Sequence, residues 1–119
     1  PIFNKGQTEV ARLSAEQDRI RAQREVLSQQ IRATVAGAHE VFVTRKAALA
    51  AFDQAIADSG EELLRTARLG FQEGELGILQ LLDAYRLKRQ TSMRRLELQL
   101  ALKESEIELS RAAGFEVTQ

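Results

Sequence analysis

Few side chains in this sequence have the type and spacing that chemistry requires. His39 is the only histidine, Glu40 beside it points to a different helix face, and no second ligand follows at a metal-binding spacing. We interpret it as a histidine on a helix surface. Asp83 and Glu75 are too isolated in the sequence to form an acid/base pair. The sequence therefore predicts no metal site, no cofactor and no enzymatic activity.

Phosphate and nucleic-acid binding are also not indicated. The glycines around Gly74 do not form a phosphate loop, because no strand precedes them and no Lys-Ser/Thr pair follows. A basic cluster is present, but its members spread around a helix and only Tyr85 offers an aromatic ring nearby. The cluster consists of Arg86, Lys88, Arg89, Arg94 and Arg95. Seventeen basic residues balance seventeen acidic ones, so we predict no nucleic-acid partner.

The composition indicates long helices. Ala, Leu, Glu, Gln and Arg dominate, and the 119 residues include one proline, no cysteine and six aromatic residues. The absence of cysteine excludes a disulfide scaffold. No apolar run approaches the roughly 18 residues that span a bilayer. Because the sequence begins at Pro1 without a methionine, we interpret it as a piece of a longer protein.

A seven-residue apolar repeat predicts a first long helix over residues 8–69. The repeat comprises Leu13, Ile20 and Leu27, a shift at Ile31, and then Val35, Phe42, Leu49, Ile56 and Leu63. Such a repeat faces one partner only if the helices supercoil left-handedly. Residues 1–7 are predicted to be a non-helical lead-in segment, with Asn4 or Thr8 capping the helix. Gly60 is a potential break, through which we expect the helix to continue.

A turn and a second helix follow. Three glycines in eight residues predict a turn at 70–77, a second helix at 78–114 with Gly114 as its cap, and a tail at 115–119. Two helices joined by one short turn must run antiparallel. The predicted fold is all-α: a long antiparallel α-helical hairpin that resembles a coiled coil.

The second helix carries two apolar stripes. One contains Met93, Leu96, Leu100 and Ile107, and the other contains Leu98, Leu102, Leu109 and Ala112. In the first helix, Val41 and Ala48 flank the main stripe in the same way. Two stripes indicate either helices with neighbours on both sides, as in a closed ring, or one wide core face.

The turn contains two large apolar residues, Phe71 and Leu76. At the tip of a long hairpin they could form an exposed docking surface. Alternatively, both could fold under the turn against Leu69 and Leu79. The sequence leaves these alternatives open.

The turn region also resembles a known family. Residues 70–84, Gly-Phe-Gln-Glu-Gly-Glu-Leu-Gly-Ile-Leu-Gln-Leu-Leu-Asp-Ala, resemble the segment Gly-Tyr-x-x-Gly-x-x-x-apolar-x-x-(Val/Leu)-Leu-Asp-Ala of the TolC-like outer membrane factors. Residues 1–7 are similar to the stretch where those chains leave a β-barrel, and residues 109–114 resemble the final helix of the second repeat. The sequence of residues 73–79 is most similar to that of the heavy-metal branch of the family, of the CzcC or CusC kind.

The resemblance implies a homotrimeric efflux duct, with a β-barrel in the outer membrane and an α-barrel across the periplasm. This chain would supply the hairpin of the second repeat. Its turn would dock on a periplasmic adaptor protein and so serve an inner-membrane pump indirectly. The matching tip positions are Phe71, Gly74, Glu75, Leu76 and Gly77.

The resemblance also implies a constriction of the lumen near the tip. Asp83 falls on an acidic position that faces the lumen in the family. Gln80 falls on a position that is acidic in some members, which puts a double acidic ring in doubt. Glu73 stands where an apolar residue is common, so the adaptor contact could differ in detail.

Two other functions are compatible with the same pattern. The chain could be the α-hairpin of a periplasmic adaptor, or a coiled-coil scaffold or dimerisation module. The adaptor hairpin would have flanking β segments of the lipoyl kind, and the scaffold would have a turn without an apolar tip. With two apolar stripes, the isolated chain could also dimerise or open its hairpin.

Overall fold

The chain folds into three helices: α1 (Ile2–Ile56), α2 (Ser59–Gln72) and α3 (Ile78–Val117). They are taken from a computed structural model that describes residues 2–56 and 59–117. Both α1 and α2 pack along α3, and the molecule measures 107 × 20 × 17 Å. No strand occurs within the described ranges. The prediction of a long all-α hairpin is confirmed.

One narrow seam holds α1 against α3. Its residues recur in alternating steps of three and four, the spacing that keeps one stripe against a supercoiled partner. In α1 they are Ile31, Val35, Ala38, Phe42, Arg45, Leu49, Phe52 and Ile56. In α3 they are Leu81, Ala84, Lys88, Thr91, Arg95, Leu98, Leu102, Ser105, Leu109 and Ala112. All of them except Arg95 are buried or half-buried.

The most buried residues of the hairpin are mostly small. Ala67, Ala84, Ala112 and Ser105 are buried, and Leu64 is the one large side chain among the described residues to be fully so. Small side chains let two helix backbones approach closely without a thick core. A hairpin only two helices across can therefore close its seam with few aromatic residues.

The seam shifts by one residue at the start of α2. Leu64 is 2% exposed and Leu63 is 43% exposed, so the prediction that Leu63 continues the stripe is wrong. The seam residues step by four from Ile56 to Gly60, and by four again to Leu64, and this advances the register by one position. Gly60 lies inside α2. The predicted continuity of the first helix also depends on Ala57 and Asp58, which lie outside the described residues.

The first helix begins earlier than predicted. Residues 2–7, predicted to be a non-helical lead-in segment, are the first turns of α1. The Thr8 hydroxyl donates to the Asn4 carbonyl at 2.8 Å, a bond made inside a helix, so Thr8 does not cap one. Gly6 alone does not stop the helix, because glycine costs only about 1 kcal/mol in a helix interior.

The first part of α1 extends beyond its partner. Every side chain from residue 4 to residue 27 is exposed, and we call this segment the overhang. It would reach about 36 Å at 1.5 Å per residue. Leu13, Ile20 and Leu27 therefore do not belong to the seam, although they repeat every seven residues.

The last helix ends later than predicted. α3 runs through Gly114 to Val117, so Gly114 is not a cap and residues 115–117 of the predicted tail are helical. A capping glycine usually adopts positive φ. Among the described glycines only Gly74 does so, with φ +77°.

Candidate functional site: the hairpin tip

The end of α2 is closed by backbone hydrogen bonds that require a glycine. The Glu75 N–H donates to the Gly70 carbonyl at 2.8 Å, and the Gly74 N–H donates to the Phe71 carbonyl at 3.1 Å. This pair of bonds around a residue of positive φ is a Schellman motif, and Gly74 is its left-handed residue. The predicted turn at 70–77 is present, but its first three residues belong to α2, which ends at Gln72.

Leu76 folds under the turn. It is half-buried and packs against the cluster of Leu64, Ala67 and Ala84. A Cβ on Gly70 would lie 2.8 Å from both Cγ and Cδ1 of Leu76, closer than such atoms approach one another. Gly70 is therefore the residue that makes room for Leu76. Of the two alternatives for Leu76, the structure selects the one in which it caps the seam, although its neighbours are not those expected.

Phe71 remains at the surface, with 41% of its area exposed. It is accompanied near the turn by three exposed apolar residues of the first turns of α3. These are Ile78, Leu79 and Leu82, of which Leu79 is 73% exposed. We call these four residues the tip surface. Sequence reasoning identified only Phe71, because the α3 residues match an ordinary apolar helix face.

Gln80 caps α3. Its Oε1 accepts the Gly77 N–H at 2.5 Å, so the third residue of the helix satisfies the backbone of the residue that precedes it. Asp83 is exposed and accepts a hydrogen bond from Arg86 at 3.1 Å. These positions fit a helix start and a solvated helix face. The predicted contribution of both residues to a lumen constriction stays a prediction.

Arg68 links α2 to α3 behind the tip. Its Nε donates to the Tyr85 hydroxyl at 2.8 Å, and its guanidinium lies 5.2 Å from the centre of the Tyr85 ring. The bond joins α2 to α3 about two helical turns behind Gly74 and Gly77. Sequence reasoning missed it, because a residue separation of 17 gives no periodic signal.

Charged residues replace apolar ones in the middle of the seam. Arg95 forms two bonds with Asp53, at 2.7 and 3.0 Å, and Lys88 contacts Glu61 at 2.5 Å. The hydrogen bond from Arg95 lowers the pKa of Asp53, and the one from Lys88 lowers the pKa of Glu61. These residues line an open groove of about 350 Å³. The seam thus has an apolar part near the tip and a mainly apolar part, which includes Arg45, nearer the overhang, with the ion pairs between them.

The basic cluster does not act as one surface. Lys88 and Arg95 turn into the seam, while Arg86 and Arg94 pair with acidic residues of their own helix. His39 is exposed. Within residues 2–56 and 59–117, no group of three or more His, Cys, Asp or Glu side chains could hold a metal ion. No described helix combines the length and apolarity that crossing a bilayer demands.

Comparison with known proteins finds no relative: no family model, no curated protein and no solved structure matches this chain.

Proposed function

We propose that this hairpin forms part of the wall of an efflux duct of the TolC-like outer membrane factor kind, and that its tip docks on a periplasmic adaptor protein. The duct would be a homotrimer anchored in the outer membrane, with this hairpin in the periplasm. The observation that carries the proposal is a glycine-built turn that presents Phe71 and Leu79 at one end of a helical molecule 107 Å long. A hairpin that only had to reverse direction would have no need of apolar residues there.

The outer faces of the helices support the idea of a wall. In α3, one row of seam positions recurs every seven residues from Leu81 to Leu109. A second stripe is formed by the residues that lie two before and one after these positions. It contains Leu79, Leu82, Arg86, Arg89, Met93, Leu96, Leu100, Lys103 and Ile107. In a supercoiled seven-residue repeat, with 3.5 residues per turn and about 103° per residue, the centre of this outer stripe lies about 154° around the helix from the centre of the seam.

Equivalent positions in α1 form a matching outer stripe. They are Ala33, Ala36, Glu40, Val43, Ala47, Ala50 and Gln54, and all are exposed. Each outer stripe has the same offset from the seam of its own helix. Because α1 and α3 run antiparallel, both outer stripes therefore turn toward the same side of the hairpin. A row of hairpins packed side by side through these stripes would curve in one direction and close into a ring. An interior angle of about 154° corresponds to a ring of about fourteen helices.

A photo-crosslinking experiment tests the docking. A photoreactive phenylalanine analogue replaces Phe71 in the full-length protein in cells, and the captured partner is identified by mass spectrometry. We expect the helical hairpin of a periplasmic adaptor. Gln23, exposed on the overhang, is the matched control site and should capture no adaptor. Equal capture at both sites, or none at position 71, would contradict the docking proposal and favour the scaffold alternative.

Phe71 is a better position than Leu76 for a substitution that tests the tip. Leu76→Asp would place a charge against Leu64 and Ala67, and would disrupt the turn whether or not an adaptor binds there. Phe71 and Leu79 are exposed, so a charge at either position leaves the turn intact. Loss of adaptor binding in Phe71→Asp would therefore report on the contact itself.

A further part of the proposal concerns ion selectivity. Asp83 is the family-like acidic position, and a ring of such carboxylates in a narrow lumen favours cations. In the single hairpin, Asp83 is solvated and paired with Arg86. If Asp83 lines the constriction, Asp83→Asn in the reconstituted duct should lower cation preference and block by multivalent cations. Unchanged conductance and block would remove this role.

A further inference from the structure

We infer that the ion pair between Asp53 and Arg95 determines which of the two apolar stripes of α3 faces α1. By holding the seam stripe inward, it keeps the outer stripe of α3 on the outside of the hairpin. The inference concerns the hairpin alone. Its failure would leave the docking proposal standing, and a failure of docking would leave this inference standing.

Apolar pattern alone does not choose a stripe in the middle of α3. Leu98 of the seam stripe is matched by Leu96 of the outer stripe, so both faces offer α1 a large side chain there. Small residues favour the seam stripe because they allow close approach, but they lie toward the two ends of α3. They are Ala84, Ser105 and Ala112. The middle of the helix therefore needs another determinant.

Asp53 distinguishes the two stripes by charge. Its carboxylate accepts hydrogen bonds from Nε and Nη2 of Arg95 at 2.7 and 3.0 Å, and its side chain is 37% exposed. The nearest outer-stripe residues are Met93 and Leu96, which lie within about 3 Å of Arg95 along the helix axis. If α3 turned its outer stripe toward α1, these apolar side chains would replace Arg95. The half-buried carboxylate would then lose its cation, which is unfavourable.

The neighbouring ion pair does not make this distinction. Glu61 contacts Lys88 of the seam stripe, but the outer stripe has Arg86 and Arg89 two residues before and one residue after Lys88. A carboxylate at position 61 would therefore find a cation on either face of α3. Of these two carboxylates, only Asp53 prefers the seam stripe.

Arg45 opposes the same rotation of α3. Its side chain is half-buried in the seam, and its Nη1 donates to the Ala101 carbonyl at 2.7 Å. The outer-stripe residues beside Ala101 are Leu100 and Lys103. Turning the outer stripe toward α1 would bring the Lys103 ammonium group beside the Arg45 guanidinium, and like charges repel. Asp53 and Arg45 thus favour the same face of α3.

Thiol reactivity tests the inference, since the chain contains no cysteine. Leu98→Cys reports on the seam stripe, and Leu96→Cys reports on the outer stripe, where Leu96 is 58% exposed. Without further changes, the Leu96→Cys thiol should react with a maleimide faster than the Leu98→Cys thiol. Asp53→Leu should lower the ratio of these two rates at least about fivefold. Glu61→Leu is the matched control and should leave the ratio unchanged.

An exchange of two side chains provides a second measurement. Met93→Arg together with Arg95→Met moves the cation from the seam stripe to the outer stripe without changing the composition. We expect the order of the two rates to reverse. Because either stripe can pack on α1, the helix content measured by circular dichroism should be unchanged in every variant.

Three results would overturn the inference. The first is a rate ratio that stays at the wild-type value in Asp53→Leu and in the exchange variant. The second is an equal change of the ratio in Glu61→Leu. The third is a loss of helix content in Asp53→Leu, because the pair would then hold the hairpin together and not select a stripe.

Discussion

The contact between Leu76 and Gly70 gives a sharp test of how the tip is built. Alanine normally stabilises a helix interior relative to glycine by about 0.5–1 kcal/mol. Gly37 has no atom within 4 Å of an added Cβ, so Gly37→Ala should raise the free energy of unfolding by that amount. Gly70→Ala makes the same change inside α2, but its Cβ would lie 2.8 Å from Leu76.

Overpacking of this kind costs about 1–3 kcal/mol. The free energy of unfolding of Gly70→Ala should therefore lie about 1–3 kcal/mol below that of Gly37→Ala. The assay is urea unfolding followed by circular dichroism, at one chain concentration because association adds to stability. In a Leu76→Ala background the clash is gone, and Gly70→Ala should become stabilising by about 0.5–1 kcal/mol. If Gly70→Ala stabilises the chain as much as Gly37→Ala does, Leu76 does not pack on Gly70.

Three further predictions concern the turn, the seam and the overhang. Gly74→Ala should lower the free energy of unfolding by about 1–2 kcal/mol, and Gly74→Asn by less, because asparagine tolerates positive φ better; urea unfolding measures both. Because the pKa of Asp53 is lowered from its usual value near 3.8, the ionised carboxylate stabilises the folded chain at pH values above 3.8. This stabilisation is lost as the pH falls through the folded-state pKa. The urea midpoint of Asp53→Asn should therefore fall less than that of the wild type when the pH is lowered below about 4. If the two midpoints depend on acid in the same way, the pair with Arg95 does not contribute this stability. Amide hydrogens of residues 4–27 should exchange much faster than those of residues 31–56, since a helix without a partner is marginal; equal protection, measured by mass spectrometry, would show that the overhang is covered.

The sequence predicted the hairpin because its signals there are local. A run without proline, a seven-residue repeat and three glycines in eight residues are enough to indicate two helices and one turn. Helix ends were harder to predict. Gly6 and Gly114 look like boundaries, but a single glycine weakens a helix without ending it, and the structure places both inside helices.

The choice of seam could not be made from periodicity. In α3 both stripes are apolar and both repeat in sevens, so either could face α1 by pattern alone. The structure selects the stripe of Leu98 and Leu102, whose other members include Ser105 and Ala112, because small residues allow close approach. The charged contact between Asp53 and Arg95 was equally hidden, since it joins residues 42 positions apart.

The candidate site was predicted in part. The turn lies where it was predicted. Phe71 is exposed, as in the alternative of a docking surface, whereas Leu76 folds under the turn, as in the other alternative. Which residue folds under depends on the space over Gly70, and that space exists only once α2 and the turn are built. The roles of Gln80 and Asp83 in a lumen depend on neighbouring copies, so they cannot be read from one hairpin.

The most direct test of the proposed function is an export assay in cells that lack the full-length protein. The strain is complemented with wild-type protein, with Phe71→Asp or with Gln23→Asp, and the accumulation of divalent metal cations and fluorescent dyes is measured. We predict that Phe71→Asp reaches the outer membrane at normal levels, yet its cells accumulate substrate as the deletion strain does, while Gln23→Asp restores export. Wild-type export by Phe71→Asp, or no difference between the deletion strain and the wild type for any substrate, would contradict the account.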